Sequence, residues 1–165
     1  MVLFAVLLGL AAILFAFWEW GRMYRHRQGT ARRPGRLVET LSDPREAAAI
    51  LLVKVAAGED GQVTVEQKHT IEALMTTNFA ITDDEAEGLY SFGRMAVSQI
   101  DDIEGSVPRL LKPIQGRLTL EEMKDLVQMM EDVAGEEAER DETAQTLITK
   151  TRKRLHLDSV VVEGP

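Results

Sequence analysis

The chain has no cysteine among its 165 residues. That excludes disulfides, a thiolate nucleophile and cysteine-ligated zinc or iron–sulfur sites, and it suits a reducing compartment. Histidine is scarce. Only His26, His69 and His156 occur, on separate segments and without the paired spacing of a metal site. There is no phosphate-binding P-loop, no Gly-x-Gly-x-x-Gly and no Gly-x-Ser-x-Gly nucleophile elbow. The adjacent carboxylates Asp83/Asp84 and Asp101/Asp102 point different ways from a helix or turn, so neither pair makes an acid–base couple. No segment reads as a strand, since Val160-Val161-Val162 is too short to define a sheet. The expected class is therefore all-α, with no catalytic residue and no enzymatic activity.

What is present divides sharply by charge. Residues 1–36 carry six arginines against Glu19 alone, a balance of +5. Residues 37–165 carry 13 basic and 26 acidic side chains, a balance of −13. Such an acidic segment repels a phosphate backbone, so no nucleic-acid partner is expected. The short basic part adjoins Val2–Trp18, a run of 17 uncharged residues. As a helix that run spans about 26 Å, close to the thickness of a hydrocarbon core. Trp18, Trp20 and Tyr24 follow as an interfacial girdle, then Arg22, Arg25, Arg27, Arg32, Arg33 and Arg36. Lysine and arginine are absent before the run. There is also no small-x-small cleavage pattern after it, which argues against a signal peptide. The predicted layout is a single-pass anchor over residues 1–21, with the bilayer as partner of residues 2–20. The positive flank places Met1 outside a bacterial-type inner membrane and the rest in the cytoplasm. Residues 22–41, broken by Gly29, Pro34 and Gly35, read as a basic flexible linker able to attract anionic headgroups.

Residues 42–157 read as a compact bundle of about five to six helices, and residues 158–165 as a tail. Ser42-Asp43-Pro44 opens a helix over roughly Pro44–Ala57 that is apolar around most of its circumference, which suits the centre of a bundle. The Gly58–Gln67 stretch follows as an acidic turn, with Thr64 and Gln67 spaced as a capping box. The next helix, about Val65–Asn78, sets Ile71, Leu74, Met75 and Phe79 on one face, with the first helix as its expected partner. Thr82 and Glu85 form a second box, opening a helix whose stripe runs Ala86, Leu89, Tyr90, Gly93, Ala96, Val97 and Ile100. Asp101, Asp102, Glu104 and Gly105 are expected to close it. A short helix is predicted over Val107–Lys112, stopped by Pro113. Thr119 and Glu122 open a helix carrying Met123, Leu126, Val127, Met129, Met130 and Val133. The last helix, about Asp141–Leu155, presents Ala144, Leu147, Ile148 and Leu155, with Lys150, Arg152, Lys153 and Arg154 complementing its dipole. At an offset of 77, Ala57-Gly58-Glu59-Asp60 falls on Ala134-Gly135-Glu136-Glu137 and Ile71 on Ile148. Two weakly related helical hairpins are thus predicted.

The segment Glu59-Asp60-Gly61-Gln62-Val63-Thr64 entering a helix, then Phe79-Ala80-Ile81-Thr82-Asp83-Asp84-Glu85, resembles the TerB-like tellurite-resistance family. The resemblance spans about Ser42–Leu157. It implies an all-helical fold with acidic turns in two related halves, found also in membrane-anchored DnaJ-like co-chaperones. The chain has no His-Pro-Asp, so a J domain and its chaperone ATPase stimulation are not implied. The resemblance also implies a possible metal role for the turns. Asp60 matches the turn aspartate, but Gln67 stands where the family has glutamate, with Glu66 adjacent; Glu137 and Ala144 take the corresponding places in the second turn. Ligand spacing rejects an EF-hand, because Ala56, Gly58 and Gln67 would occupy positions one, three and twelve of the loop. A divalent cation would need Glu59, Asp60, Glu66, Glu136 and Glu137, with Asp141 and Glu142 nearby, to converge from both turns. Capping and dipole complementation account for the same acids without a metal. The expected function is a non-enzymatic interaction module tethered to the membrane, linked to envelope or tellurite stress, with an unidentified protein partner. The alternative is an acidic domain that binds or senses a divalent metal.

Overall fold

A computed structural model describes residues 41–136 and 140–160 of the chain. The expected anchor, with its expected aromatic girdle, and the expected arginine linker up to residue 40 lie outside the described residues, as do Glu137 and the end of the tail. Among the described residues, no helix is long and apolar enough to cross a membrane. They hold helices and turns and no strand, as expected for an all-α domain. The helices are α1 Pro44–Ala57, α2 Val65–Phe79, α3 Asp83–Val97, α4 Ile103–Leu110, the single turn α5 Lys112–Gln115, α6 Leu120–Ala134 and α7 Glu142–Arg154. A 3-10 turn, Leu157–Val160, packs back on α7.

The bundle is built around α1. Ala47 to Val53 are all buried, at 2% exposure or less, and Val55, Ala56 and Ala57 continue the buried surface. Full burial of a side chain such as Ile50 or Leu51 contributes about 1.5–3 kcal/mol, so this short apolar run holds much of the core. Helices α2, α3, α5, α6 and α7 all pack on it. The largest of these contacts is with α3, and α2 leans mainly on α3 as well. The hairpin partner expected for α2 is therefore corrected. The reason is the glycine at position 93: a Cβ there would lie 2.8 Å from the Ala49 carbonyl oxygen and 3.0 Å from a Val53 methyl. With only hydrogen at that point and alanines opposite, α3 settles directly on the α1 backbone.

Local signals set the helix starts. Thr64, Thr82 and Thr119 each accept the backbone N–H three residues on, while Gln67, Glu85 and Glu122 reach back to the threonine N–H. All three boxes form as the spacing predicts. Asp43 caps α1 by accepting from the Arg45 N–H at 2.9 Å. Ile71, Met75, Ala86, Ala96, Leu126, Val127, Met130, Val133, Ala144, Leu147 and Ile148 are buried where the helical periodicity puts them, and Met129 joins them.

Two expectations between α3 and α6 fail. Asp102 does not close α3, which ends at Val97; its carboxylate accepts the Gly105 N–H at 2.7 Å and opens α4 at Ile103, ahead of the Val107 start that the sequence suggests. Pro113 does not stop a helix but sits in the first turn of α5, where a missing N–H costs nothing. The inward placement of Leu110 and Leu111 holds, both being fully buried.

Candidate functional site at the paired acidic turns

The two acidic turns are structural counterparts. Helix α1 ends at Gly58 (φ 50, ψ −145) and α6 at Gly135 (φ 77, ψ −161). Each glycine donates its N–H to the carbonyl four residues back, on Lys54 and Glu131 respectively. Six residues later each turn meets an N-cap with matching backbone, Thr64 (φ −70, ψ 163) and Asp141 (φ −69, ψ 166). The offset of 77 seen in the sequence is thus reproduced at both ends of the turn.

The turns also touch. One carboxylate oxygen of Asp141 accepts the Ala144 N–H at 2.7 Å, capping α7. The other accepts the Glu59 N–H at 3.2 Å, across 82 residues of chain. This second bond places the carboxylate against Gly58, where a Cβ would lie 1.7 Å from Asp141 Oδ2. The first turn is held further from within. Lys54, half-buried on the otherwise apolar α1, donates from Nζ to the Gly58 carbonyl at 2.6 Å. Arg94 reaches the Gly61 carbonyl at 3.3 Å. In the second turn Arg140 donates to the Gly135 carbonyl at 2.9 Å.

Gln67 explains its own identity. Its Oε1 accepts the Thr64 N–H at 2.9 Å, as a glutamate would. Its Nε2 donates to the Ala56 carbonyl at 3.2 Å, which a glutamate carboxylate cannot do. The amide therefore fastens the start of α2 to the end of α1.

These engagements bear on a metal. Asp141 and Gln67 already spend their polar atoms on backbone N–H and C=O groups. Glu59, Asp60, Glu66 and Glu136 are exposed, and among the described residues no three Asp, Glu or His side chains are close enough to share a cation. The described side chains of the turns do not fit a metal, and no chemistry is derived through one. Elsewhere, His69 is exposed and lies 3.7 Å from a Glu72 oxygen on its own helix. Arg152 and Glu131 pair across α7 and α6.

Beside the first turn is a groove of about 440 Å³, whose walls include Lys54, Arg94, Asp101, Asp102 and Glu104. Mixed charge of this kind was not legible beforehand, although a lone lysine within the apolar run of α1 was a signal for it. The apolar cleft between α1, α2 and α6, walled by Ala48, Phe79, Leu126 and Met129, encloses only about 60 Å³. That is too little for a partner helix. The larger hollows mix charged and apolar walls.

No curated protein and no solved structure matches the chain. The family model described as "Tellurite resistance protein TerB" matches residues 45–163, which take in every helix and both turns just described. The chain thus belongs to the TerB family.

Proposed function

We propose that this TerB-family domain is a non-enzymatic interaction module, held on the cytoplasmic face of a membrane by residues 2–20 and serving the response to tellurite or envelope stress. The observation that carries the interaction reading is the use made of the turn side chains. Asp141, Gln67, Lys54 and Arg94 hold backbone groups in place and present no reacting pair. What they build is an acidic, solvent-facing turn over Gly58–Gln67, tied to Asp141 and suited to recognition. The tether is supported by the uncharged run Val2–Trp18 and the one-sided arginines behind it. The stress assignment rests on the family alone.

Topology is tested by fusing reporters after Pro165 in the full chain. A cytoplasmic reporter should be active and a periplasmic one silent, and deletion of residues 2–20 should release the protein from the membrane fraction. The reverse pattern of reporter activity would end the reading. Calorimetric titration of the full chain with divalent cations separates it from metal sensing. No heat and no rise in melting temperature are expected. Stabilisation that disappears in Asp60→Asn/Glu137→Gln would establish the metal reading instead.

A further inference from the structure

The basic side chains of the domain are not spread evenly. From Gly105 to Leu120 the sequence contains Arg109, Lys112 and Arg117 and not one acid. The fold lays this stretch, α4 and α5, beside the C-terminal end of α7, where Lys150, Lys153 and Arg154 are exposed. Gln115 ties the two together by donating to the Arg154 carbonyl at 2.8 Å. Six of the 13 basic residues of residues 37–165 thus gather at one end, where Glu104 lines the same groove as Lys150 and Asp43 lies near Arg117. Lys150 pairs with Glu104 at 2.7 Å. Among the described residues, Arg109, Lys112, Lys153 and Arg154 form no ion pair. A groove of about 470 Å³ is walled by Arg109, Lys112 and Arg117. A second, of about 650 Å³, is walled by Lys150, Lys153, Arg154 and His156.

The chain enters the domain at this same end. Leu41 and Ser42 form part of the wall of the first groove. Just upstream lie the six arginines and the uncharged run. In sequence, only residues 25–40 separate Tyr24 from Leu41.

We propose that the α4–α5–α7 end is a lipid-facing surface that binds the headgroups of anionic phospholipids and sets the domain's orientation on the membrane. The proposal rests on the tethered reading above for its geometry. Charge complementarity selects the occupant: unpaired guanidinium and ammonium groups meet phosphates. The acidic remainder of the domain, repelled by the same surface, turns its paired turns outward to the cytoplasm.

The test uses the full-length chain, whose lack of cysteine permits single-site labelling. Gly116→Cys, in the basic groove, and Ala73→Cys, exposed on α2, are each labelled with a fluorophore that spin-labelled lipid headgroups quench. Vesicles are phosphatidylcholine alone or phosphatidylcholine with phosphatidylglycerol. The label at 116 should be quenched only when phosphatidylglycerol is present, and the label at 73 in neither case. Arg109→Glu/Lys112→Glu/Arg117→Glu should reduce quenching at 116 to the phosphatidylcholine level while the chain still floats with vesicles. Indifference of position 116 to phosphatidylglycerol, or full quenching in the triple variant, would overturn the proposal and leave the tether standing. Flotation with phosphatidylglycerol vesicles only, reversed by high salt, would support the surface and end the tether. Displacement from those vesicles by single-stranded RNA at lower concentration than by free lipid would assign the face to nucleic acid and overturn it.

Discussion

The carboxylate of Asp141 occupies the space that a side chain on Gly58 would need, 1.7 Å from the position of its Cβ. The contact joins the two halves of the repeat at their turns and makes one glycine structural for two reasons, its φ of +50 and its neighbour. Substitution at Gly58 must then cost more than at its counterpart Gly135, where φ is +77 but no described residue lies within 4 Å of a Cβ. Gly135→Ala is expected to lose about 1 kcal/mol from backbone strain alone. Gly58→Ala should lose about 2–4 kcal/mol, adding displacement of the carboxylate to the same strain. Urea denaturation of the two variants checks the order. Equal losses would mean that the turns do not touch.

Gln67 gives a second prediction. Gln67→Glu keeps the acceptor for the Thr64 N–H but removes the donor to the Ala56 carbonyl and sets a charge beside it. A loss of about 1 kcal/mol is expected at neutral pH, recovering in part as acid protonates the new carboxyl. A thermal melt series from pH 7 to 4 reads this out, and a gain in stability at neutral pH would refute the assigned role.

Acid should weaken the fold through its caps. The N–H groups of Thr82 and Thr119, and then their hydroxyls, hold the carboxyls of Glu85 and Glu122 below the ordinary value of 4.5. The Arg45 guanidinium, donating to Asp43, likewise holds that carboxyl below 3.8 against the opposing effect of burial. Each group binds its proton less readily in the folded chain than in the unfolded one. The stability they contribute is therefore present above those ordinary values and lost as pH falls through the lower folded ones. Melting temperature should be flat near neutrality and fall below about pH 4.5. Glu85→Gln/Glu122→Gln should flatten that decline, as measured by calorimetry across the acid range.

A fourth expectation concerns Thr151, fully buried on α7, whose hydroxyl has no hydrogen-bond partner among the described residues. Thr151→Val keeps the shape and removes an unsatisfied polar atom. It should be neutral or stabilising by about 1 kcal/mol. A loss beyond about 1 kcal/mol in chemical denaturation would show that the hydroxyl is engaged after all.

How far the sequence could be read follows from the range of each signal. Thr64/Gln67, Thr82/Glu85 and Thr119/Glu122 were legible because a capping box is completed within three residues. Asp102 was misread because an acid followed by glycine near a helix end looks like a stop; only the direction of its carboxylate, toward the Gly105 N–H, shows a start. Pro113 was misread for a similar reason, since proline ends one helix and begins another equally well. The seating of Gly93 on Ala49 and the bond from Glu59 to Asp141 bring together residues far apart in the chain. No local pattern encodes such a pairing. The basic end was half legible. The arginines and lysines of α7 were noted for the helix dipole, but the acid-free stretch 105–120 beside them was not.

The central position of α1 has a consequence for how the molecule is made. This helix leaves the ribosome first among the domain's elements, yet α6 and α7, which cover it, are synthesised last. Until α6 and α7 have emerged, the apolar segment from Ala47 to Ala57 is covered only in part, by α2, α3 and α5. Truncation before α7 removes part of the cover of the most hydrophobic helix of the described residues and makes the remainder a substrate for chaperones and proteases.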